Sequence, residues 1–404
     1  MRRMNFQLLK QLLIPGQTKI VMIVMDGLGG LPRERGGKTE LESARKPNLD
    51  ALAHESILGI ADPVAPGVTP GSGPGHLGIF GYDPLEYEIG RGVLEALGID
   101  FELGANDVAA RGNFCTIDAA GKLLDRRAGR IATELNLELT KILRTIKLPR
   151  AQIFVETVRD YRFVFVLRGK GLGDALSETD PQRVGVAPLP VKALDAKSRV
   201  SANLANAFIA RAHKLLADKQ PANMIMLRGF AKRPTIPTFQ EVYGLRAAAI
   251  AIYPMYRGLA RTLGMQTLTV AGETLADEFT ALEKNWNTFD FFYLHVKKTD
   301  SSGEDGDFEK KSRVIEELDA QLPRLRALNP DVIVVGGDHS TPAILKAHSW
   351  HPVPVLLYSK YCRADGIAEY GERACARGSL GRVRSKELMP LALANALRTT
   401  KFGA

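Results

Sequence analysis

The stretch Lys19-Ile-Val-Met-Ile-Val-Met25 runs directly into Asp26-Gly27-Leu28-Gly29-Gly30. A continuous apolar run of this length is typical of a strand that is buried on both faces of a sheet. Asp26 then stands at the carboxyl end of the strand, which is the edge where open α/β sheets bind their ligands. The stretch therefore predicts a parallel α/β sheet with polar residues along one edge.

The same pattern occurs twice more along the chain. Asp331-Val-Ile-Val-Val335 is followed by Gly336-Gly-Asp-His-Ser-Thr341, and Phe289-Asp-Phe-Phe-Tyr-Leu-His-Val296 is followed by Lys-Lys-Thr-Asp300. Another strand is expected at 352–358. Helical patterns lie between the strands, at about 47–55, 274–284 and 308–328. Strands that alternate with helices predict an α/β fold with a doubly wound, mostly parallel sheet.

The middle of the chain has a different pattern. Short strands are expected at 113–118 and 122–127, near 153 and 164, and at 223–227, with helices near 131–146 and 201–216. This alternation is typical of a separate α+β unit. We therefore expect an inserted domain at residues 101–239, between segments 1–100 and 240–404 that fold together as the core.

Composition limits the classes of protein and of partner. The 404 residues are 45% hydrophobic and 25% charged, as in ordinary globular proteins, and the apolar run at 20–25 is far shorter than the roughly 18 residues of a membrane helix. The net charge of +9 favours anionic partners. The arginine clusters lack interleaved aromatic residues, so we expect a small phosphorylated or carboxylated ligand and neither nucleic acid nor a membrane. The oligomeric state is left open.

The cysteines and the N-terminal segment indicate the cellular compartment in which we expect the protein. Only three cysteines occur, at Cys115, Cys362 and Cys375, and their spacing is not that of a metal site. This count argues against a disulfide framework and for a reducing compartment, so we expect a cytoplasmic protein. Lys10 and Gln11 interrupt the apolar residues of 2–14, which indicates an amphipathic surface helix and argues against a secretion signal.

Acidic and imidazole groups follow the predicted strands. Asp26, Asp300 and the adjacent pair Asp338-His339 form a set suited to a divalent metal, although any one of them alone could simply cap a helix or a turn. His348 and His351 precede the strand at 352–358. Either histidine could reach the same edge and ligate a metal.

Ser72 lies between two glycines in Thr69-Pro-Gly-Ser-Gly-Pro-Gly-His-Leu-Gly78, ahead of a helix expected to begin near Pro74. A serine there can be exposed and close to helix N-terminal amides that favour an anion. A metal can also deprotonate its hydroxyl group, as a phosphoserine intermediate requires. A flexible Gly/Pro loop is the alternative, and this segment alone does not decide between the two.

Taken together, these motifs resemble the archaeal-type cofactor-independent (2,3-bisphosphoglycerate-independent) phosphoglycerate mutases of the alkaline phosphatase superfamily. The resemblance runs from about residue 18 to residue 380. Its carriers are Met25-Asp-Gly-Leu-Gly-Gly30, Lys46-Pro-Asn-Leu-Asp50, Pro70-Gly-Ser-Gly-Pro-Gly-His-Leu77 with Phe80-Gly-Tyr-Asp-Pro84, Gly90-Arg-Gly92 with Leu94-Glu-Ala-Leu-Gly98, Asp125-Arg-Arg-Ala-Gly-Arg-Ile131, Tyr256-Arg-Gly-Leu-Ala-Arg261, Gly336-Gly-Asp-His-Ser-Thr-Pro342 and His348 with Pro352-Val-Pro354.

The resemblance implies a two-metal site on an alkaline-phosphatase-like, metal-binding core. Ser72 would be the nucleophile and would share one metal with Asp26, Asp338 and His339. Asp300 and His348 would hold the second metal together with Glu304, which stands where the family usually has histidine. A carboxylate ligand still suits Mn²⁺ or Mg²⁺. We expect two divalent ions, Mn²⁺ first and Mg²⁺, Co²⁺ or Zn²⁺ as alternatives, and no bisphosphoglycerate.

The resemblance also implies basic residues that bind the substrate. Arg257 replaces the lysine more usual in the family, and it keeps the charge needed to clamp a phosphate while losing a readily exchanged proton. The inserted, substrate-binding domain would contribute four arginines that contact the substrate's carboxylate and phosphate. These are Arg126, Arg127, Arg130 and Arg228. For each of them a solvated surface role is the alternative.

The implied activity is the interconversion of 3-phosphoglycerate and 2-phosphoglycerate through a phosphoserine, a step of glycolysis and gluconeogenesis. One alternative is a metal-dependent phosphatase, or a mutase that acts on another small phosphorylated or phosphonate acid. A second alternative is a non-enzymatic basic protein on a decayed enzyme scaffold, which Glu304 and the positive net charge would fit.

Overall fold

The computed structural model of the chain describes residues 6–403. The strands in this range are β1 Ile20–Met25, β2 Ile57–Asp62, β3 Val108–Ile117, β4 Leu123–Asp125, β5 Gln152–Arg159, β6 Arg162–Arg168, β7 Met224–Ala231, β8 Ala247–Ile250, β9 Gln266–Thr267, β10 Phe291–Val296, β11 Val332–Gly336, β12 Val353–Ser359 and β13 Gly381–Arg384.

The helices in the same range are α1 Phe6–Leu12, α2 Glu40–Ser43, α3 Pro47–His54, α4 Ser72–Ile79, α5 Arg91–Gly98, α6 Thr133–Leu143, α7 Arg199–Leu216, α8 Phe239–Tyr243, α9 Pro254–Thr262, α10 Leu275–Asn285, α11 Lys298–Asp305, α12 Phe308–Asp319, α13 Leu322–Ala327, α14 Glu372–Cys375 and α15 Leu388–Asn395. α1 lies within the predicted amphipathic N-terminal helix, whose first residues, 2–5, fall outside the described part of the chain.

The larger sheet has the strand order β13-β2-β12-β11-β1-β10-β8-β9. All neighbouring pairs are parallel except the two that β12 makes, with β11 and β2. The predicted α/β fold with a mostly parallel sheet is therefore confirmed. β1 lies between β11 and β10 and is parallel to both, with Ile20 opposite Val332 on one side and Phe291 on the other. The carboxyl ends of these three strands consequently meet at one edge.

Apolar side chains explain why these elements pack. Every residue of β1 is buried, as expected for a strand covered on both faces. The helical pattern predicted at about 308–328 forms two helices, α12 and α13. Pro323 lies in the first turn of α13, where its missing N–H costs no hydrogen bond, whereas in the interior of a longer helix it would break one.

The smaller sheet is antiparallel and contains β4, β3, β6, β5 and β7. One face packs against α6 and α7 through a core that includes Phe114, Phe163, Phe165 and Phe208. On the other face α5 contributes Val93, Ala96 and Leu97, which pack against Ala109, Val164 and Val166 of the sheet. The alternating side chains of the strands thus bury apolar groups on both faces.

The described residues fall into two compact units, 6–88 with 236–253 and 263–403, and 89–235 with 254–262. The second unit begins earlier than the expected boundary at 101, because α5 packs on β3 within it. It also includes α9, which was expected in the core. Glycines allow α9 to approach α5 closely, since a Cβ atom at Gly98 or Gly258 would clash with the opposite backbone.

No helix among residues 6–403 has the combination of length and apolar character needed to cross a membrane.

We predict that Gly258→Ala destabilises the second unit, because its methyl group would clash with the Leu94 carbonyl. The free energy of unfolding should fall by about 1–3 kcal/mol, the usual penalty of overpacking, in urea titrations followed by circular dichroism. Gly104→Ala is the matched control. Gly104 is exposed in the same unit, and a Cβ there would meet neighbours at no less than 3.5 Å. Equal stability of the two variants would show that α5 and α9 can separate freely.

Candidate active site

Three adjacent strands deliver the acidic groups to one edge of the larger sheet. Asp26 directly follows β1, Asp300 lies in the first turn of α11 after β10, and Asp338 with His339 follows β11. The Asp26 amide donates to the Val296 carbonyl at 3.0 Å, which continues the β1–β10 pairing up to the site. The structure thus brings together the residues that sequence analysis placed at this edge.

Asp26, Asp338 and His339 form a first group, in which one donor atom from each residue lies within 4.8 Å of the others. All three residues are fully buried. His339 Nε2 lies 3.1 Å from Asp26 Oδ1 and 3.2 Å from Asp338 Oδ2. Asp338 Oδ1 accepts from the Gly27 amide, whereas Oδ2 faces His76 Nδ1 at 3.0 Å and His339 Nε2. Two buried carboxylates beside an imidazole nitrogen are a ligand set that suits a divalent cation.

The protonation of this first group follows from its neighbours. Burial raises the pKa of Asp26, but Lys297 and hydrogen bonds with His295 and His339 outweigh burial and hold that pKa well below its usual range. Burial and Asp26 raise the pKa of Asp338, yet His339 and His76 lower it overall. Both residues are therefore carboxylates at neutral pH, which is the form that binds a metal.

Asp300, His339 and His348 form a second group with donor atoms within the same 4.8 Å. His348 Nε2 lies 3.5 Å from Asp300 Oδ1, and the two imidazole rings stack with centroids 3.7 Å apart. His348 Nδ1 donates to the Pro70 carbonyl at 2.9 Å. In neutral His348 the lone pair is therefore on Nε2, the nitrogen that faces Asp300.

Thr341 connects the two groups. Its hydroxyl donates to Asp300 Oδ1 at 2.8 Å and accepts from His339 Nδ1 at 2.9 Å. Neutral His339 consequently carries its proton on Nδ1 and presents the Nε2 lone pair to the carboxylates. Burial lowers the pKa of His339, but Asp338, Asp26 and Asp300 outweigh burial and raise it to about 9. Below this pKa His339 carries a second proton, on Nε2, and a bound metal ion would take the place of that second proton.

Ser72 is the first residue of α4, two residues before the predicted helix start at Pro74. Its Oγ lies 3.2 Å from His339 Nε2, beside the first group. The first amides of a helix favour an anion, so α4 suits a serine that carries a phosphoryl group. Gly75 allows this approach, because a Cβ there would clash with the Asp338 carbonyl.

Two sequence-predicted candidates lie outside both groups. Glu304, expected as the third ligand beside Asp300, is exposed in the last turn of α11, whereas Asp300 is buried in its first turn. The structure therefore does not place Glu304 with Asp300 and His348. His351, the alternative to His348, has its Nδ1 3.0 Å from Ser349 Oγ and stacks on Trp350.

Sequence analysis missed three basic residues that lie against the carboxylates. Lys297 Nζ lies 3.0 Å from Asp26 Oδ2 and 2.5 Å from Asp300 Oδ2. Burial lowers the pKa of Lys297, but both carboxylates raise it overall. His295 Nε2 is 3.3 Å from Asp26 Oδ2, and His76 Nδ1 is 3.0 Å from Asp338 Oδ2. A histidine inside the buried strand β10 was a visible signal, because imidazole is rarely placed in an apolar strand without a polar partner.

Lys311 of α12 holds the loops that carry the ligands. This residue is fully buried, and its Nζ donates to the carbonyls of Gly27, Gly29 and Thr341 at 2.9, 3.0 and 2.9 Å. Burial lowers its pKa, while Glu40, Glu372, Asp300 and Asp26 act in the opposite direction. The ammonium group thereby ties the loop after β1 to the loop after β11. In the sequence Glu-Lys-Lys-Ser it resembles an ordinary surface lysine.

The predicted substrate arginines lie in the second unit. Arg126 forms a bidentate pair with Asp180 at 2.9 and 2.8 Å, and Arg228 contacts Asp180 and Glu178 at 3.1 and 3.0 Å. Arg257 lies 3.4 Å from Asp100. The remaining two, Arg127 and Arg130, are exposed. The structure thus brings Arg126 and Arg228 together around Asp180.

We predict that Lys311→Met lowers the free energy of unfolding by about 1–3 kcal/mol, because buried carbonyls lose their donor. Urea titrations of the full chain measure this change. Lys310→Met is the control, since Lys310 is exposed one residue away, and it should stay within about 0.5 kcal/mol of the wild type. A Lys311→Met protein as stable as the control would show that the ammonium group does not hold the two loops.

Comparison with known proteins identifies the family. The family model described as 2,3-bisphosphoglycerate-independent phosphoglycerate mutase matches residues 53–223. A Thermus thermophilus protein named a probable 2,3-bisphosphoglycerate-independent phosphoglycerate mutase is 52% identical over 99% of both chains. A Thermotoga neapolitana protein of the same name is 51% identical over 98% of both chains.

Solved structures from two archaea agree with this result. The PH0037 protein from Pyrococcus horikoshii superimposes with a TM-score of 0.82 at 30% identity and covers 96% of this chain and 100% of its own. The cofactor-independent phosphoglycerate mutase from Thermoplasma acidophilum gives a TM-score of 0.69 at 29% identity, with 94% and 100% covered. The chain therefore belongs to the family of 2,3-bisphosphoglycerate-independent phosphoglycerate mutases, so the family resemblance and the enzyme class predicted from its sequence are confirmed.

Proposed function

We propose that this protein interconverts 3-phosphoglycerate and 2-phosphoglycerate through a phosphoserine on Ser72, with divalent metal ions and without bisphosphoglycerate. The observation that carries the proposal is the convergence of Ser72 Oγ, Asp26 and Asp338 on His339 Nε2, at 3.2, 3.1 and 3.2 Å. The names of the relatives support the choice of substrate.

The residues that would hold the metals are those of the two groups. Asp26, Asp338 and His339 would hold one ion with Ser72, and Asp300 and His348 would hold the other. Oxygen-rich sites with imidazole suit Mn²⁺ first, with Mg²⁺, Co²⁺ or Zn²⁺ as alternatives. When bound, such ions polarise the phosphoryl oxygens and lower the pKa of a coordinated hydroxyl group.

In the forward direction, a bond forms between Ser72 Oγ and phosphorus while the bond from phosphorus to the 3-oxygen of glycerate breaks. The serine hydroxyl loses a proton, and the departing glycerate oxygen takes one up. The 2-hydroxyl then attacks the same phosphorus and loses its proton, while the bond from phosphorus to Ser72 Oγ breaks and Oγ takes up a proton. The first amides of α4 stabilise the negative charge on the phosphoserine, and Lys297 adds a cation beside Asp26 and Asp300.

Glycerate must stay bound while it turns from one hydroxyl to the other. We assign this role to Arg126, Arg127, Arg130 and Arg228 of the second unit, with Arg257 as a phosphate clamp, because guanidinium groups bind carboxylate and phosphate in a forked geometry. Release of glycerate at this stage would let water attack the phosphoserine and yield inorganic phosphate.

The reaction belongs to glycolysis and gluconeogenesis, and we place it in the cytoplasm. The cysteines Cys115, Cys362 and Cys375 are thiols without disulfide partners in the described chain, which fits a reducing compartment.

Phosphorus NMR tests the function. The chelator-stripped protein is given 3-phosphoglycerate, no bisphosphoglycerate, and Mn²⁺, Mg²⁺, Co²⁺ or Zn²⁺ in turn. We expect a 2-phosphoglycerate signal that appears only with metal. Inorganic phosphate as the sole product would instead identify a phosphatase, and no change with any ion would overturn the proposal.

Ser72→Ala should reduce the rate of isomerisation by at least about 10³-fold, because the phosphoenzyme has no other nucleophile. Ser379→Ala, at an exposed serine, is the control and should leave the rate unchanged. Near-normal turnover by Ser72→Ala would show that Ser72 is not the nucleophile.

Metal analysis separates the candidate ligands of the second ion. Because Asp300 is buried beside His348 and Glu304 is exposed, Asp300→Asn should weaken metal binding by more than about tenfold, and Glu304→Gln by less than about threefold. Competition with a fluorescent chelator gives both affinities. Equal losses would place Glu304 in the coordination shell, as the family pattern implies.

A further inference from the structure

Charged residues stand directly before three neighbouring strands of the larger sheet. Lys19 precedes β1, Asp290 precedes β10 and Arg246 precedes β8. The three strands are adjacent and parallel, and their first residues are paired in register. The charged residues therefore form a row at the amino ends of these strands. Because β1 is six residues long, the row lies roughly 20 Å from the edge that holds Asp26.

Arg398 adds a second guanidinium group from the C-terminal part of the chain. It follows α15, and its side chain is 5% exposed. Nε donates to the Thr18 hydroxyl at 3.0 Å and Nη2 to the Thr18 carbonyl at 2.7 Å, and Nη2 lies 3.8 Å from Asp290 Oδ1. Nη1 has no hydrogen-bond partner within residues 6–403. One donor group of this almost fully buried side chain is thus unused.

These residues line an open cavity of about 500 Å³ within the first unit. Sites that bind small molecules commonly have volumes of about 300–1,000 Å³. Three exposed amide side chains, Gln17, Gln240 and Asn287, also line the cavity, and none of them makes a side-chain hydrogen bond within the described residues. The cavity can therefore hold a molecule larger than a single ion and offer donors and acceptors to its polar groups.

The lining has an excess of positive charge. Three cations, Lys19, Arg246 and Arg398, line the cavity with one carboxylate, Asp290. Arg246 binds this carboxylate through Nε at 3.1 Å and Nη2 at 2.9 Å, whereas Lys19 Nζ donates to a backbone carbonyl at 2.6 Å. Asp331 accepts from the Lys19 amide at 2.7 Å. The excess is two positive charges for the lining and one when Asp331 is counted as well.

The cations weaken one another in the absence of an anion. Burial lowers the pKa of Lys19, and Arg246 and Arg398 add to this effect, while Asp290 and Asp331 oppose it. Burial also lowers the pKa of Arg398, again with a contribution from Arg246. A nearby negative charge favours the charged form of such groups. A bound anion would therefore stabilise this cluster.

We propose that the cavity at the amino ends of β1, β8 and β10 binds the phosphate group of a small phosphorylated molecule. A phosphate monoester carries about −1.5 to −2 charges at pH 7, close to the excess positive charge of the lining. Guanidinium groups and an ammonium group bind it through charge-assisted hydrogen bonds. The site lies at the opposite end of the strands from the candidate active site, and it does not depend on the proposed function.

Trp286 allows this site to be observed separately from the candidate active site. The chain contains two tryptophans, Trp286 and Trp350. Lys19 Nζ lies 5.9 Å from the centre of the Trp286 ring. In a Trp350→Phe protein, tryptophan fluorescence therefore reports the surroundings of Lys19.

The test is a fluorescence titration of the full-length, Mg²⁺-loaded Trp350→Phe protein with inorganic phosphate, with ribose 5-phosphate and, at matched ionic strength, with sodium chloride. We expect a saturable change with both phosphate compounds and none with chloride. Adding Arg246→Met should raise the Kd for ribose 5-phosphate by at least about tenfold, through loss of charge-assisted hydrogen bonds.

Arg373→Met is the matched control. The side chains of Arg246 and Arg373 are both 57% exposed, and each forms a bidentate pair with a carboxylate, but Arg373 binds Glu42 and does not line the cavity. This control should change the Kd less than about twofold. Equal Kd values for the two arginine variants, or the absence of a saturable change with both phosphate compounds, would overturn the proposal.

Lys19→Gln provides a second variant if Arg246→Met does not fold. Its amide retains a donor for the Phe289 carbonyl that Lys19 Nζ binds. Calorimetry with ribose 5-phosphate gives its Kd, because loss of the ammonium group would itself alter the fluorescence of Trp286. We expect a rise of at least about tenfold here as well. An unchanged Kd would overturn the site.

Discussion

Two carboxylates, Asp26 and Asp338, are buried without solvent at one edge of a parallel sheet, and the surrounding structure compensates their charge. His339 lies between them, Lys297 and His295 approach Asp26, and His76 approaches Asp338. Buried negative charge is tolerated only beside cations or donors, so this constraint explains why basic residues lie beside each of the two carboxylates. The same constraint makes the edge suited to divalent ions.

The loops that carry these carboxylates have no regular structure of their own, so other contacts must hold them. Lys311 donates to three of their carbonyls, and Thr341 joins Asp300 to His339. Gly75 lets α4 approach the Asp338 backbone, which places Ser72 beside His339. Each contact limits the position of a candidate ligand or nucleophile before any ion binds, as catalytic preorganisation requires.

The second unit contains a cluster of positively charged side chains, whereas the site in the first unit is built around carboxylates. Its arginines lie on a sheet whose two faces both pack helices, so guanidinium groups occupy positions that an ordinary core would fill with apolar side chains. Asp180 and Glu178 compensate part of that charge. One unit thus presents acidic and imidazole groups suited to metals, and the other presents basic groups suited to anions.

The apolar run before Asp26, and its counterparts before Asp300 and Asp338, determined the parallel sheet and the edge where these residues meet, because strand burial and direction follow from local pattern. The motifs around Ser72 and His339 also determined the family. Only the tertiary structure decided that Lys311 is buried, that Glu304 is exposed four residues after a buried aspartate, and that Arg111 opposes Arg228. Helix rotation, strand register and burial depend on contacts between residues far apart in the chain, and no local pattern of residue types records them.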